Sequence, residues 1–206
     1  MPDDSRVRRL AHQVLGSTWL KLFGRGEWCA AKHGRLRRRW LKLHLGVHAT
    51  TGEIAAQVLT NGDEDDAAQA PGLLRQCKGT LASVTADGAC DRDPFCQAAA
   101  ARQPGSPIEA VIPHRADAVL STADPDQQSP RDRYIQLLAE RGRIGWRRAT
   151  KYQRRNHAET IMSRNRHLIE PKVHARSWPG QQGEVALAVQ VLNGLIRTAK
   201  PLSIRR

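Results

Sequence analysis

Four side chains in the segment YQRRNHAETIMSRNR, residues 152–166, have the types and spacing to handle a phosphate. Relative to Glu159, Tyr152 lies seven residues before, Arg155 four before and Arg166 seven after. At 100° per residue these offsets share one stripe roughly 60° wide on a helix. Guanidiniums grip phosphate oxygens in a bidentate fork. A carboxylate set among them suits a divalent metal held against the same phosphate. An exposed helix with ordinary ion pairs has the same spelling, so this segment alone leaves both readings open. Ile161, Met162 and Ile169 fall off the stripe and are expected to face a core.

A second acid stands at Asp87, where the apolar run Leu81–Ala86 meets Asp87-Gly88. Glycine lets the backbone turn, which leaves the aspartate at a strand end, where site residues of sheet proteins gather. A simple turn aspartate is the alternative. Lys32, Arg35, Arg37, Arg38, Arg39 and Lys42 form the densest positive cluster of the chain, bracketed by Trp28 and Trp40. Cations interleaved with aromatics suggest a phosphate-binding surface, against the blander reading of a solvated charge run.

The whole composition leans the same way. Lys+Arg number 33 against 20 Asp+Glu, a net charge of +13 with a pI near 10.6. Such a balance favours a polyanionic partner, most often nucleic acid and sometimes an anionic membrane surface. No apolar run approaches the roughly 20 residues of a membrane span, and the start MPDDSRVRRL carries no signal-peptide core. The expectation is a soluble intracellular protein with no membrane partner. Cys29, Cys77, Cys90 and Cys96 show no C-x-x-C spacing, which points to reduced, mostly buried thiols rather than a zinc site or disulfide framework.

These residues need elements to position them. Val14–Phe23 reads as a strand weakened by Gly16. Leu41, Leu43, Leu45 and Val47 alternate with Lys42, His44 and Gly46, the pattern of a half-buried strand. Turn chemistry at Thr50-Thr51-Gly52 and a returning strand over Glu53–Thr60 predict a hairpin. An acidic loop, Asp63–Asp66, leads into a helix ending near Cys77, whose regular part is expected to begin late because of Pro71. Leu81–Ala86 predicts a strand, Pro94–Arg102 a helix with Asp93 as N-cap, and Ala110–Pro113 a short strand. Residues 114–132 read as loop, Tyr134–Arg141 as helix, and Gly142–Thr150 as a basic connector carrying Trp146. Val185, Ala188, Val189, Leu192, Leu195 and Ile196 mark a C-terminal amphipathic helix. Antiparallel strands followed by strands alternating with helices imply an α/β fold, a ribonuclease-H-like mixed sheet flanked by helices. Residues 14–206 are expected to form that domain, behind a short lead-in over 1–13.

The spelling of these segments resembles a known family. Y-(2)-R-(3)-E-(6)-R at Tyr152, Arg155, Glu159 and Arg166 is similar to the Y-(2)-R-(3)-E-(6)-K block of DDE transposases from bacterial insertion sequences, with arginine for the final lysine. STWLKLFGRGEW, KHG, LKLHLGV, TGEI, ADGACD, IPHR and LNGLIR agree in order across nearly the whole chain. The resemblance implies DNA transposition by metal-dependent phosphoryl transfer. Three carboxylates hold two Mg²⁺ (or Mn²⁺) ions, one activating water or a 3′-hydroxyl and the other stabilising the leaving oxygen. Asp87 matches the second carboxylate and Glu159 the third, as catalytic and metal-binding residues. Tyr152, Arg155, Arg166, Lys32, Arg35, Arg37, Arg38 and Arg39 are the implied DNA-binding residues. The implied partners are double-stranded DNA, as transposon ends and target, and further copies of the chain if it is active. The implied location is the bacterial cytoplasm, at the nucleoid.

The departures are as specific as the matches. The family's first carboxylate opens a D-S-T-G-L-K strand, and here that strand reads Gly16-Ser17-Thr18-Trp19-Leu20-Lys21. Glycine offers no oxygen to a metal. Trp19 replaces a glycine, and His48 stands where relatives often carry aspartate. The family also has a long DNA-binding region ahead of this strand, of which only the residues before Gly16 would remain. The expectation is a truncated, catalytically impaired copy. A non-catalytic basic DNA-binding remnant and a basic RNA-associated protein are the alternatives.

Overall fold

The alternating, β-branched stretch around Gly16 forms the central strand β1 (Ala11–Leu22). The hairpin follows as β2 (Trp40–His48) and β3 (Ile54–Asn61), then α1 (Asp66–Gln76), β4 (Leu81–Thr85), α2 (Asp93–Arg102) and β5 (Glu109–Val111). The chain continues through α3 (Pro130–Ala149), a 3-10 turn at Tyr152–Arg155, α4 (Asn156–Leu168), β6 (Lys172–Val173) and α5 (Trp178–Ala199). The structure, a computed structural model, describes residues 11–23, 40–103, 105, 108–114, 118–122, 124, 126, 128–168 and 171–199, without the side chains of 93, 94, 100, 157, 165, 166, 168 and 199.

The strand order is β3-β2-β1-β4-β5, with β6 pairing the end of β1. β1, β2 and β3 run antiparallel, whereas β4, β5 and β6 join parallel to their neighbours. This is the mixed, helix-flanked ribonuclease-H-like sheet expected from the element order. Each face carries its own core. Val14, Leu41, Leu43, Leu45 and Val47 pack with Ala158 and Ile161 of α4 and with Val185, Val189, Leu192 and Ile196 of α5. Leu15, Leu81 and Val84 pack on the other face with Leu73 and Leu74 of α1 and Phe95 of α2. Burial of Ile161 and Met162 follows the helical stripe, while Ile169 lies outside the described residues.

Several expectations need correction. β2 is buried on both faces, because α1 covers the polar side and leaves His44 only 1 % exposed. α1 does not wait for Pro71: Asp65 caps it by accepting from the Ala67 N–H, and the proline sits inside the helix. Arg92, not Asp93, is the N-cap of α2. Pro130 is not loop but the opening of α3, where Ser129 and Asp132 complete a capping box. The basic connector is also helical. The chain breaks only at Gly142, with φ 63° and ψ 176°, then resumes a turn that buries Trp146. Leu195 is exposed rather than in the core. Cys77 and Cys90 are buried free thiols, as expected, with burial pushing them up to about 11 and about 12.

Candidate active site

The segment 152–166 is not one continuous helix. Lys151 takes a left-handed conformation (φ 54°), and Tyr152–Arg155 form a 3-10 turn before α4 begins at Asn156. Tyr152 precedes Arg155 by one 3-10 turn and lines the same cleft as Arg155 and Glu159, and its ring packs 5.1 Å from that of buried Trp146. Arg155 and Glu159 keep the helical spacing of four, with Nη1 at 2.6 Å from Oε1. Arg166 lies on α4, its side chain outside the described set, and Lys32, Arg35, Arg37, Arg38 and Arg39 lie outside the described residues.

Asp87 follows β4 and begins the short 3-10 turn at Gly88–Cys90, one oxygen accepting from the Ala89 N–H. It is thus a turn aspartate in its local geometry. Its other oxygen accepts from Arg155 Nη2 at 3.4 Å. One guanidinium consequently spans two acids 72 positions apart in sequence, Asp87 from a strand end and Glu159 from a helix. The pair lies on the surface: the side chains of Asp87 and Glu159 are 39 % and 57 % exposed.

Gly16 stands beside them. It lines the same small cavity as Asp87, and parity along β1 turns position 16 toward α4. A Cβ there would come 2.5 Å from Met162 Cε and 3.8 Å from Ala158 Cβ. The position of the family's first carboxylate is therefore filled by an apolar thioether side chain. Among the described residues, no group of three His, Cys, Asp or Glu side chains is placed to hold a metal. Two acids already bridged by a guanidinium, with no third carboxylate on β1, do not fit the two-ion site. Trp19, at the family's glycine position, instead lies across Gly62, where a Cβ would meet its ring at 2.7 Å.

Sequence reasoning missed a neighbouring group. His114 is buried, with Nδ1 3.2 Å from Asp91. Asp91 also accepts from Arg131 Nε at 2.9 Å and Nη2 at 3.2 Å. Burial lowers the His114 pKa against the opposing pull of Asp91. Burial would raise that of Asp91, but Arg131 and His114 overcome it and hold the carboxylate low. The IPHR and ADGACD segments contain these residues, yet only the pairing of β4 with β5 makes them partners.

A family model described as "Transposase DDE domain" matches residues 4–193. Among solved structures the chain is similar to the piggyBac transposase in a cryo-EM synaptic complex with hairpin DNA. That likeness has 8 % identity and a TM-score of 0.47, and it covers 92 % of this chain and 47 % of that one. The chain spans about half the length of that transposase. With the match running from β1 through the two acids into α5, this chain belongs to the transposase DDE domain family.

Proposed function

We propose that the chain is a transposase domain, residues 14–206, which holds double-stranded DNA but has lost most of its lineage's metal-dependent strand cleavage and strand transfer. The observation that supports this reading is the convergence of Asp87 and Glu159 on Arg155, beside a β1 position that lacks its acid. Asp87 and Glu159 are what remains of the metal-binding, catalytic carboxylates. Mg²⁺ or Mn²⁺ would supply charge neutralisation at phosphorus in an intact site of this kind. In this reading Arg155 holds a backbone phosphate, and Tyr152, whose ring packs on Trp146, lies beside it. Arg166, Lys32, Arg35, Arg37, Arg38 and Arg39 are the further DNA-binding residues in this reading. If residual activity requires paired DNA ends, it also requires more than one copy of the chain. The cytoplasm, at the nucleoid, is the corresponding location. No described helix is long and apolar enough to cross a membrane.

A salt titration of duplex affinity tests the DNA reading. Several phosphate contacts require a log–log slope of about −0.9 per contact. Affinity that barely changes between low and physiological salt would remove the basis for DNA binding. A non-catalytic DNA-binding role is favoured by one specific feature, the Met162 side chain packed at position 16. It predicts the steep salt slope without any Mn²⁺-dependent nicking.

A further inference from the structure

β3 is the long edge of the sheet, eight residues against three in β5 at the other end. Its sequence, IAAQVLTN, holds no charged residue and no proline. Sheet edges are ordinarily blunted by lysine, proline or shortness, because their unpaired N–H and C=O groups invite another strand. An uncharged, strand-prone run of this length is the kind that pairs with copies of itself.

The ladder with β2 shows which groups face outward. The Gly62 N–H donates to the Trp40 carbonyl at 3.0 Å, and Leu41, Leu43 and Leu45 stand opposite Asn61, Leu59 and Gln57. Hydrogen-bonded and non-bonded pairs alternate along an antiparallel ladder, so Gln57, Leu59 and Asn61 turn their backbone groups away from β2. Ile54, beyond the register shift at Gly46/Val47, does the same.

Two side-chain amides occupy this edge. Gln76, the last residue of α1, accepts from the Gln57 N–H through Oε1 at 3.0 Å and donates Nε2 to the Gln57 carbonyl at 2.9 Å. Asn193 of α5 accepts from the Ile54 N–H at 2.8 Å and donates to the Ile54 carbonyl at 2.9 Å. Each makes the pair of bonds that a residue of a neighbouring strand would make. The Asn61 carbonyl accepts from Thr60 Oγ1 at 2.9 Å. Of these four outward residues, Leu59 alone keeps both backbone groups unclaimed among the described residues. Two hydrogen bonds are too few to hold a second chain against the entropy of association.

We propose that Gln76 and Asn193 act as strand surrogates that close the β3 edge, and that the partner they exclude is the β3 of a second copy of this chain. Two β3 strands antiparallel about Leu59 set Gln57 of each copy against Asn61 of the other. That contact is self-complementary and two-fold, and it joins two sheets into one. It needs the Gln57 groups that Gln76 now holds, so the amides decide whether the surface is open.

The test uses the full chain, followed by size-exclusion chromatography with light scattering from low to high protein concentration. Gln76→Ala with Asn193→Ala releases four backbone groups per copy and is expected to self-associate about tenfold more tightly than the unmodified chain. Adding Leu59→Pro is expected to return the double variant to the behaviour of the unmodified chain. Proline there removes an outward N–H and leaves the β2–β3 ladder intact. Gln76→Ala alone changes an exposed side chain and opens Gln57 beside Leu59, so it is expected to associate by a smaller margin. Association no tighter than in the unmodified chain, in the double variant or, where that does not fold, in Gln76→Ala, would overturn the inference. So would association that Leu59→Pro leaves in place, which would locate the contact elsewhere. Unmodified chains that associate and are separated by Leu59→Pro would reveal an edge the amides do not close, and would overturn it as well.

Discussion

The two faces of β1 tell different stories about the same stretch of chain. Toward α4, position 16 has lost its acid, Met162 occupies the space, and Asp87 and Glu159 meet at the surface through one arginine. Toward α1, one residue on, a buried polar cluster is kept. Asp66 lies 2.8 Å from His44 Nδ1 and 3.1 Å from Lys42 Nζ, and Ser17 donates to it as well. His44 in turn shares its Nε2 with Thr60 Oγ1 at 2.9 Å. The difference separates two kinds of constraint. A buried polar group must keep its partners or the fold pays for it. A carboxylate on an open surface contributes to chemistry but little to stability, so it can go while the scaffold stays.

The largest effect expected from this contrast is catalytic. Loss of an oxygen donor shared by two ions removes several kcal/mol of charge stabilisation, or roughly three decades in rate. Nicking of supercoiled DNA with Mn²⁺ is therefore expected near background for the unmodified chain. Gly16→Asp alone is expected to restore it only partly, because the new carboxylate must first displace the Met162 methyl group. Gly16→Asp with Met162→Ala is expected to exceed the single substitution. Robust cleavage by the unmodified chain would erase the distinction between the two faces.

The next effects concern stability. Ile161 is 1 % exposed beneath α4, and Ile161→Ala is expected to cost about 2–4 kcal/mol in urea unfolding. Asp66→Ala, on the opposite face, is expected to cost about 2–3 kcal/mol by leaving buried His44 without its acid. Burial alone would raise the Asp66 pKa, but hydrogen bonds from His44, Ser17 and Lys42 outweigh it and hold the group at about 2, against an ordinary 3.8. A carboxyl depressed on folding contributes its stability above the unfolded value and loses it as pH falls through the folded one. Roughly 2 kcal/mol should thus disappear between about pH 4 and pH 2. Asp66→Asn should flatten that limb of the unfolding profile. An unchanged acid limb would mean that the α1 face is no better supported than the α4 face.

How far the sequence disclosed these faces depends on how local the signal is. Strand alternation at Leu41–Val47, the hairpin turn and the C-terminal stripe depend on neighbours within a few residues, and they led to the sheet and its covering helices. The Y-(2)-R-(3)-E spelling brought Arg155 and Glu159 together through helical spacing, and the ADG turn put Asp87 at a strand end. What stayed hidden required contacts across elements. Gly142 looked like the end of a helix because a glycine break and a basic tract resemble a loop, yet Trp146 is anchored in the interior and draws the tract back into a helical turn. The break ahead of Asn156 stayed hidden because nothing in the neighbouring residues announces the left-handed Lys151 that starts Tyr152–Arg155 as a 3-10 turn. His114 and Asp66 carried no local sign of their partners 23 and 22 positions away in Asp91 and His44.

The smallest expected effect is also the sharpest check on the surface character of the acidic pair. Asp87→Asn keeps an oxygen that can accept from the Ala89 N–H, so the turn cap survives. Glu159→Gln removes a charge from an exposed pair in which arginine precedes glutamate, the less favourable order along a helix. Exposed pairs of this kind contribute about 0.2–1 kcal/mol. In a chain of this length that is a shift of about 1–3 °C in melting temperature. Both variants, followed by thermal denaturation, should therefore melt close to the unmodified protein while DNA affinity is measured separately. A fall of more than about 5 °C for either one would exceed the range for exposed pairs. It would make the Asp87–Arg155–Glu159 bridge a structural clamp between β4 and α4, and the two faces of β1 would then be held by the same kind of force.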